Sequence, residues 1–205
     1  LERGDSGVRS FASVQSSLVM YPIYTYGSEE IRMKWLPKLA SGKAIGCFGL
    51  TEPDFGSNPS GMITNAKKID GGYLLNGAKM WITNGGFADI FTVFAKIDDD
   101  KNLSAFIVEK SFGGISLNPE EHKMGIKGSS TRQVFFFFVK VPVENLLSER
   151  KNGFKIALNI LNIGRIKLAA AVLGGTKQTI NHAVKYAIER EQFGRSISKY
   201  GAIRF

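Results

Sequence analysis

The sequence predicts an α+β protein: a helical segment, a middle antiparallel β-barrel or sandwich, and the start of a second helical bundle. Three observations predict it. Residues 11–40 and 153–193 carry apolar side chains at helical spacing. Residues 44–145 break into short β-rich runs divided by turn signals. Glycine, 23 of 205 residues, stands at about 11% against a usual value near 7%, which suits many turns.

From Ser10 to Tyr26 the chain is mostly apolar and small, which reads as a buried helix that Pro22 ends or kinks. A second helix starts at Ser28, its N-cap, with Glu29 and Glu30 in the first turn. Ile31, Trp35, Leu36 and Leu39 fall on one face of it, and Gly42 ends it. The strand-like runs that follow are Ala44–Leu50, Tyr73–Leu75, Ile90–Ala95, Leu103–Glu109 and Gln133–Val141. Between them stand Asp70-Gly71-Gly72, Asn76-Gly77, Asn84-Gly85-Gly86 and Asp98-Asp99-Asp100, all turn formers. Close spacing of this kind favours an antiparallel sandwich or barrel. Helix returns at 153–193, with Phe154, Ala157, Leu158, Leu161, Ile163, Ile166 and Leu168 as a stripe that Val184, Ala187 and Ile188 continue. Ala169-Ala170-Ala171 and Gly174-Gly175 suggest close contact with another segment. The expected divisions are 1–43, 44–147 and 148–205, with no internal repeat. Both ends read as cut, so a fragment is expected.

Composition excludes several classes. The chain is 43% hydrophobic and 22% charged, which is neither disordered nor collagen-like. No uninterrupted apolar run reaches the roughly 18 residues of a membrane span, so no transmembrane segment is expected. One cysteine, Cys47, excludes a disulfide framework and a cysteine metal cluster. The net charge of +9 suggests a polyanionic partner, and it is uneven: residues 1–100 carry 10 basic and 11 acidic side chains, residues 101–205 carry 17 and 7. The basic residues are scattered on apolar helices without interleaved aromatics, which argues against nucleic acid. His122 and His182 have no Cys or carboxylate at ligand spacing, so no metal site is expected. No nucleophile elbow, P-loop or Rossmann glycine pattern occurs.

Two segments carry candidate chemistry. Leu50-Thr51-Glu52-Pro53-Asp54-Phe55-Gly56-Ser57 follows a strand, and its turn N–H groups suit a phosphate or a polarised carbonyl; the alternative is a plain loop. Trp81-Ile82-Thr83-Asn84 ends a strand, where an indole face and a hydroxyl could meet one flat ligand; the alternative is an aromatic anchor at a sheet edge.

Together these segments resemble the acyl-CoA dehydrogenase family. So do Lys123-Met124-Gly125 with Ser129, Val141-Pro142-Val143-Glu144-Asn145-Leu146-Leu147, Asn162-Ile163-Gly164-Arg165 and Arg190-Glu191-Gln192-Phe193-Gly194, six motifs in the family's order. The resemblance implies the end of an N-terminal helical domain, a middle β domain and the start of a C-terminal helical domain, in a homotetramer. It implies FAD as cofactor. Phe48, Leu50, Thr51, Trp81, Ile82 and Thr83 would stand beside the isoalloxazine, the Thr51 hydroxyl stabilising negative charge and Thr83 bonding near N5. Ser57 would lie between cofactor and CoA. Arg190, Gln192 and Phe193 would reach the FAD of a neighbouring subunit. Ser129, Asn162 and Arg165 match positions lining CoA, where a guanidinium suits phosphate.

The implied reaction is α,β-dehydrogenation of an acyl-CoA thioester, with electrons leaving through an electron-transfer flavoprotein. The base glutamate is expected downstream of Phe205. Some members carry it just before the arginine matching Arg165, but Gly164 stands there, so no catalytic residue is expected in this chain. The cytoplasm is implied for a bacterial source and the mitochondrial matrix for a eukaryotic one.

The front of the chain, Glu2–Ser10 and Val14–Met20, resembles the glutaryl-CoA branch. There Arg9 and Ser10 would bind the distal carboxylate, and the product would lose CO2 to give crotonyl-CoA; the plain alternative for Arg9 is a surface arginine at a helix start. From about Asn84 onward the likeness is to the long-chain acyl-CoA branch. Glutaryl-CoA is the leading expectation, long-chain acyl-CoA the alternative. A non-catalytic FAD- or CoA-binding relative is a third. Phe137 and Phe138 stand where polar or acidic residues are usual, and would be an aggregation liability if exposed.

Overall fold

The computed structural model describes residues 1–204. The chain opens with three helical segments in line. α1 (Ser6–Ser13) is capped by Asp5, whose carboxylate accepts from the Val8 N–H at 2.8 Å. Val14–Met20 then winds as a π-helix, and α2 (Tyr21–Tyr26) resumes the α form. Helix therefore runs through Pro22 instead of ending there. The change from π to α register leaves Pro22 in the first turn of α2, where a missing N–H costs little. α3 (Glu29–Ala40) starts at Ser28, whose hydroxyl accepts from the Ile31 N–H at 3.3 Å, and buries Ile31, Trp35 and Leu39.

Eight strands follow in one sheet: β1 (Gly46–Gly49), β2 (Asn65–Ile69), β3 (Gly72–Thr83), β4 (Ile90–Ile97), β5 (Leu103–Glu109), β6 (Ile115–Leu117), β7 (Thr131–Pro142) and β8 (Leu146–Leu147). Their order is β6-β7-β3-β2-β4-β5-β8, with β1 beside β4. The α+β class stands, but the sheet is mixed where sequence suggested antiparallel pairing throughout. β1 and β2 both run parallel to β4, each joined to it through the long detour by way of β3. Asp70-Gly71 makes the tight β2–β3 hairpin, with Gly71 at φ +70°. Asn76-Gly77 makes no turn. Gly77 (φ +150°) lies inside β3 at a register shift, and a Cβ there would come 2.4 Å from the Thr64 hydroxyl oxygen, which the space forbids. β3 consequently runs on to Thr83.

The sheet curls over itself. The Tyr73 ring of β3 meets Phe106 of β5 at 5.2 Å, and Phe91 of β4 meets Phe136 of β7 at 6.0 Å. Alternation along β4 and β5 then builds two cores. Phe91, Val93, Phe106 and Val108 fill the inside of the curl, while Ile90, Phe94, Ala105 and Ile107 face the helices. Gln15 of the π-helix ties the helical layer to β1: its amide donates to the carbonyls of Leu39 (3.0 Å) and Ala44 (2.9 Å) and accepts from the Gly46 N–H (2.9 Å).

α4 (Gly153–Glu189) packs its first turns into the helix-side core through Ile156, Ala157 and Ile160. Most of the expected stripe, including Phe154, Leu158, Ile166 and Leu168, is exposed. By length and composition this helix is apolar enough to cross a membrane, which a search for unbroken apolar runs misses because lysines and Arg165 interrupt it. Gly174 and Gly175 lie against Arg3 and Glu2, where a Cβ would meet atoms at 3.6 and 3.4 Å. Helix stops at Glu189, four residues short of expectation. A two-strand hairpin, β9 (Glu191–Gln192) and β10 (Arg195–Ser196), turns at Phe193-Gly194, both at positive φ, and α5 (Gly201–Arg204) follows.

Candidate active site

The two motif segments converge because β1 lies between β4 and the helical layer, and β3 reaches its end beside it. The loop after β1 and the last residues of β3 are stitched directly: the Met80 N–H donates to the Thr51 carbonyl at 2.8 Å. Between Lys79 and Ile82 the pairing of β3 with β7 slips, and Trp81 takes φ +61°. The slip turns the indole outward, leaving Trp81 55% exposed while Ile82 is buried.

A cavity of about 520 Å³ opens between these strand ends, the π-helix and α4. Phe48, Leu50, Thr51, Ser57, Trp81, Ile82, Thr83 and Arg165 all line it, so the structure joins eight of the expected site residues. Val14 and Leu18 form the wall from the π-helix, and Leu158 and Leu161 the wall from α4. The Arg165 guanidinium sits at the rim and donates to the Asn162 side-chain oxygen at 2.9 Å, one turn back. Asn162 orients the arginine without lining the cavity. Among the described residues, no Asp, Glu, His or Cys lines it. The chamber is thus apolar at its sides, carries hydroxyls and an indole face at the strand ends, and has one cation at its mouth. It can grip a flat heteroaromatic ring and an acyl chain, but it lacks a group to take a proton.

The other expected residues lie elsewhere. Arg9 faces a separate cleft of about 380 Å³ with Ser13, Ser16 and Lys167. There its Nε donates to Glu2 at 2.5 Å, and the contact holds the Glu2 carboxyl below its usual range. Ser10 lines neither this cleft nor the main cavity. Ser129 is buried beside a third hollow of about 510 Å³, where its carbonyl accepts from Lys123 at 2.5 Å. Arg190, Gln192 and Phe193 are exposed on or beside the β9–β10 hairpin, Phe193 at 93%. Among the described residues no group of His, Cys, Asp and Glu could hold a metal.

Sequence reasoning missed the support beneath the site. Lys79 is fully buried and donates to Glu52 at 2.8 Å and to the Leu50 carbonyl at 3.2 Å. Burial pulls the Lys79 ammonium down to about 8, against the opposing pull of Glu52. Burial pushes the Glu52 carboxyl up, but the ammonium and the hydrogen bonds from Thr64 and Ile63 outweigh it and hold the group below its usual range. The available signal was a lysine between apolar neighbours in Ala78-Lys79-Met80-Trp81 and an acid, Glu52, close behind an apolar strand.

Comparison with known proteins agrees with the architecture. Residues 1–43, 47–139 and 151–205 match, in turn, the N-terminal, middle and C-terminal domains of acyl-CoA dehydrogenase. The butyryl-CoA dehydrogenase structure from Megasphaera elsdenii superposes at TM-score 0.96 with 44% identity, covering 100% of this chain and 55% of that one. A glutaryl-CoA dehydrogenase from Mycobacterium smegmatis, solved with FADH2, gives 0.94 and 43%, covering 99% and 52%. The very long-chain specific acyl-CoA dehydrogenase of Bos taurus mitochondria is 45% identical over 210 residues, 98% of this chain and 32% of its own length. The chain spans about a third to a half of the curated relatives it matches, 29% to 55% of their length.

Proposed function

This chain belongs to the acyl-CoA dehydrogenase family, and from that premise we propose that the protein containing it oxidises an acyl-CoA thioester across its α,β bond with FAD as acceptor. The single observation that carries the reading is the convergence of Leu50–Thr51 and Trp81–Thr83 on one cavity with Arg165 at its mouth. The donor set suits the cofactor's ring end: a flat apolar slot, an exposed indole, and hydroxyls at Thr51 and Thr83. When bound, FAD supplies the two-electron acceptor that no side chain can provide. Thr51 and Thr83 would donate hydrogen bonds to the ring, and Trp81 would shield it from water. Arg165, oriented by Asn162, meets a CoA phosphate. Ser57 at the exposed lip would lie between the two ligands, and the acyl chain would run toward Val14 and Leu18, which line the cavity.

The cavity's lack of a carboxylate supports a base supplied from outside the described residues. The exposed β9–β10 hairpin, with Arg190, Gln192 and Phe193, supports a role against the FAD of a second subunit in a tetramer. Ser129 belongs in the same proposal as a contact for the CoA moiety. We read the divisions 1–43, 44–147 and 148–205 as its three domains, and α4 as a bundle helix because its first turns share the helix-side core. An electron-transfer flavoprotein is the proposed oxidant. The compartment is the cytoplasm in a bacterium or the mitochondrial matrix in a eukaryote.

Glutaryl-CoA, with loss of CO2 to crotonyl-CoA, is the proposed substrate, on the strength of the Glu2–Ser10 segment. Arg9, which faces the separate cleft with Ser13 and Ser16, must leave Glu2 and turn toward the main cavity to meet the distal carboxylate. The apolar walls at Val14, Leu18, Leu158 and Leu161 favour a second reading, a long unbranched acyl chain. The full-length protein, assayed by dye reduction and CO2 release, separates them. Turnover of glutaryl-CoA that Arg9→Ala reduces far more than turnover of butyryl-CoA supports the first. Turnover of palmitoyl-CoA alone supports the second, and flavin binding without turnover of any acyl-CoA supports a non-catalytic relative.

A further inference from the structure

Lys79 and Glu52 make the one ion pair among the described residues with both side chains sealed from water. The ammonium's three protons meet Glu52 at 2.8 Å, the Leu50 carbonyl at 3.2 Å and the Met62 sulfur at 3.4 Å. The carboxylate also accepts from the Ile63 N–H at 2.7 Å, the Thr64 N–H at 3.0 Å and the Thr64 hydroxyl. The lysine stem lies on Gly49, where a Cβ would come 3.2 Å from Lys79 Cγ. Every polar atom of the pair is therefore used, and the pair occupies a slot cut for it.

Its location is what matters. Leu50 and Thr51, on one wall of the cavity, lead into Glu52. Met80 and Trp81, on the other, follow Lys79 directly. Trp81 holds a left-handed backbone that a bulky residue adopts only when its surroundings impose it. An apolar pair of the same volume would fill the space equally well, so packing alone gives no reason for two buried charges here. An ammonium bonded to a main-chain carbonyl does more than fill: it fixes the height of the Leu50–Thr51 peptide against β3.

We infer that Lys79 and Glu52 are positioning residues whose buried ion pair sets the gap between the Leu50–Thr51 wall and the Trp81–Thr83 wall, and so the fit of the flat ring held between them. The inference rests on the flavin reading above. The test compares the full-length wild type with Lys79→Met/Glu52→Gln, which keeps the volume without leaving a bare charge. FAD affinity, the fine structure of the bound-flavin absorption band and the thermal midpoint of the apoprotein are measured. The expected result is a midpoint below the wild type but still a cooperative unfolding, because a glutamine amide leaves one of the Ile63 and Thr64 N–H groups without its acceptor, with FAD bound about tenfold more weakly, the loss of one hydrogen bond to a charged group, and a band blurred toward that of free flavin. Unchanged affinity and band shape in the double variant would overturn the inference. If the double variant does not fold, Thr64→Val is measured, which removes one bond to the Glu52 carboxylate and leaves no charge unpaired: weaker FAD binding supports the inference and unchanged binding overturns it. A wild type that takes up no FAD overturns the flavin reading, and the inference falls with it; that outcome is read on the wild type alone.

Discussion

Gly46→Ala is the sharpest probe of how the helical layer sits on the sheet. A Cβ at Gly46 would lie 2.4 Å from Val19 Cγ1, 2.9 Å from Cγ2 and 3.0 Å from Cβ, and Val19 is fully buried. Neither methyl can rotate into solvent, so the π-helix must shift from β1 or Val19 must leave its rotamer. Overpacking of this kind costs about 1–3 kcal/mol, and three contacts at or below 3.0 Å put this site toward the upper end. A gain of about 0.5 kcal/mol from restricting the unfolded chain offsets part of it. The net expectation is a loss of about 2 kcal/mol, or roughly 4–8 °C in Tm for a chain of this size. Val19→Ala alone leaves a hole and loses about 2 kcal/mol by removing two methyl groups with part of their cavity. In the double variant the methyl added at Gly46 occupies space that the shortened Val19 side chain vacates, so the two losses do not add. Urea unfolding of all four forms should give a favourable coupling of about 2 kcal/mol. Additive losses would refute the packing of Val19 on Gly46, and with it the wall that Val14 and Leu18 present to Phe48 and Leu50.

Three further expectations concern other links. Glu52 titrates lower folded than unfolded, so its contribution is full above about pH 4.5 and fades as pH falls through the folded value; Lys79, at about 8 against 10.5 unfolded, binds fewer protons when folded, so stability should rise between those two values. The wild type should show both slopes in urea midpoints relative to Lys79→Met/Glu52→Gln, and a fall in relative stability between pH 8 and 10 would contradict the sign. Gly164→Glu should gain about 0.5–1 kcal/mol of helix propensity, because its Cβ meets only Leu18 at 3.7 Å; a clear loss in Tm would show that the space is not free. Phe138→Asn should be neutral or stabilising by about 1 kcal/mol and should reduce aggregation measured by light scattering, because Phe138 is 70% exposed at φ +49°.

Local signals were readable where they act over a few residues. The Ser28 cap, the Ile31–Trp35–Leu39 face and the Asp70-Gly71 hairpin each follow from neighbouring side chains. β2 was hidden because Lys67 and Lys68 face outward and leave no apolar alternation to read. The parallel pairing of β1 and β2 with β4 was invisible because register across a long detour is set by the curl, not by composition. The π-helix leaves no periodic mark in seven residues, yet it supplies a cavity wall. At the site, resemblance pointed to the strand-end residues with Ser57 and Arg165, and the cavity unites these eight. Arg9 was legible as a cation but not as the partner of Glu2, since the chain before α1 folds back onto it. The +9 charge proved a poor guide: only Arg165 of the basic half reaches the cavity.

The crystal structure of the full-length protein with FAD tests the central claim most directly. The isoalloxazine should lie in the cavity between Thr51 and Thr83, with its edge against the Trp81 indole and the acyl side open toward Val14 and Leu18. A ring seated in the Arg9 cleft, or in the hollow beside Ser129, with the Trp81 cavity empty, would contradict it.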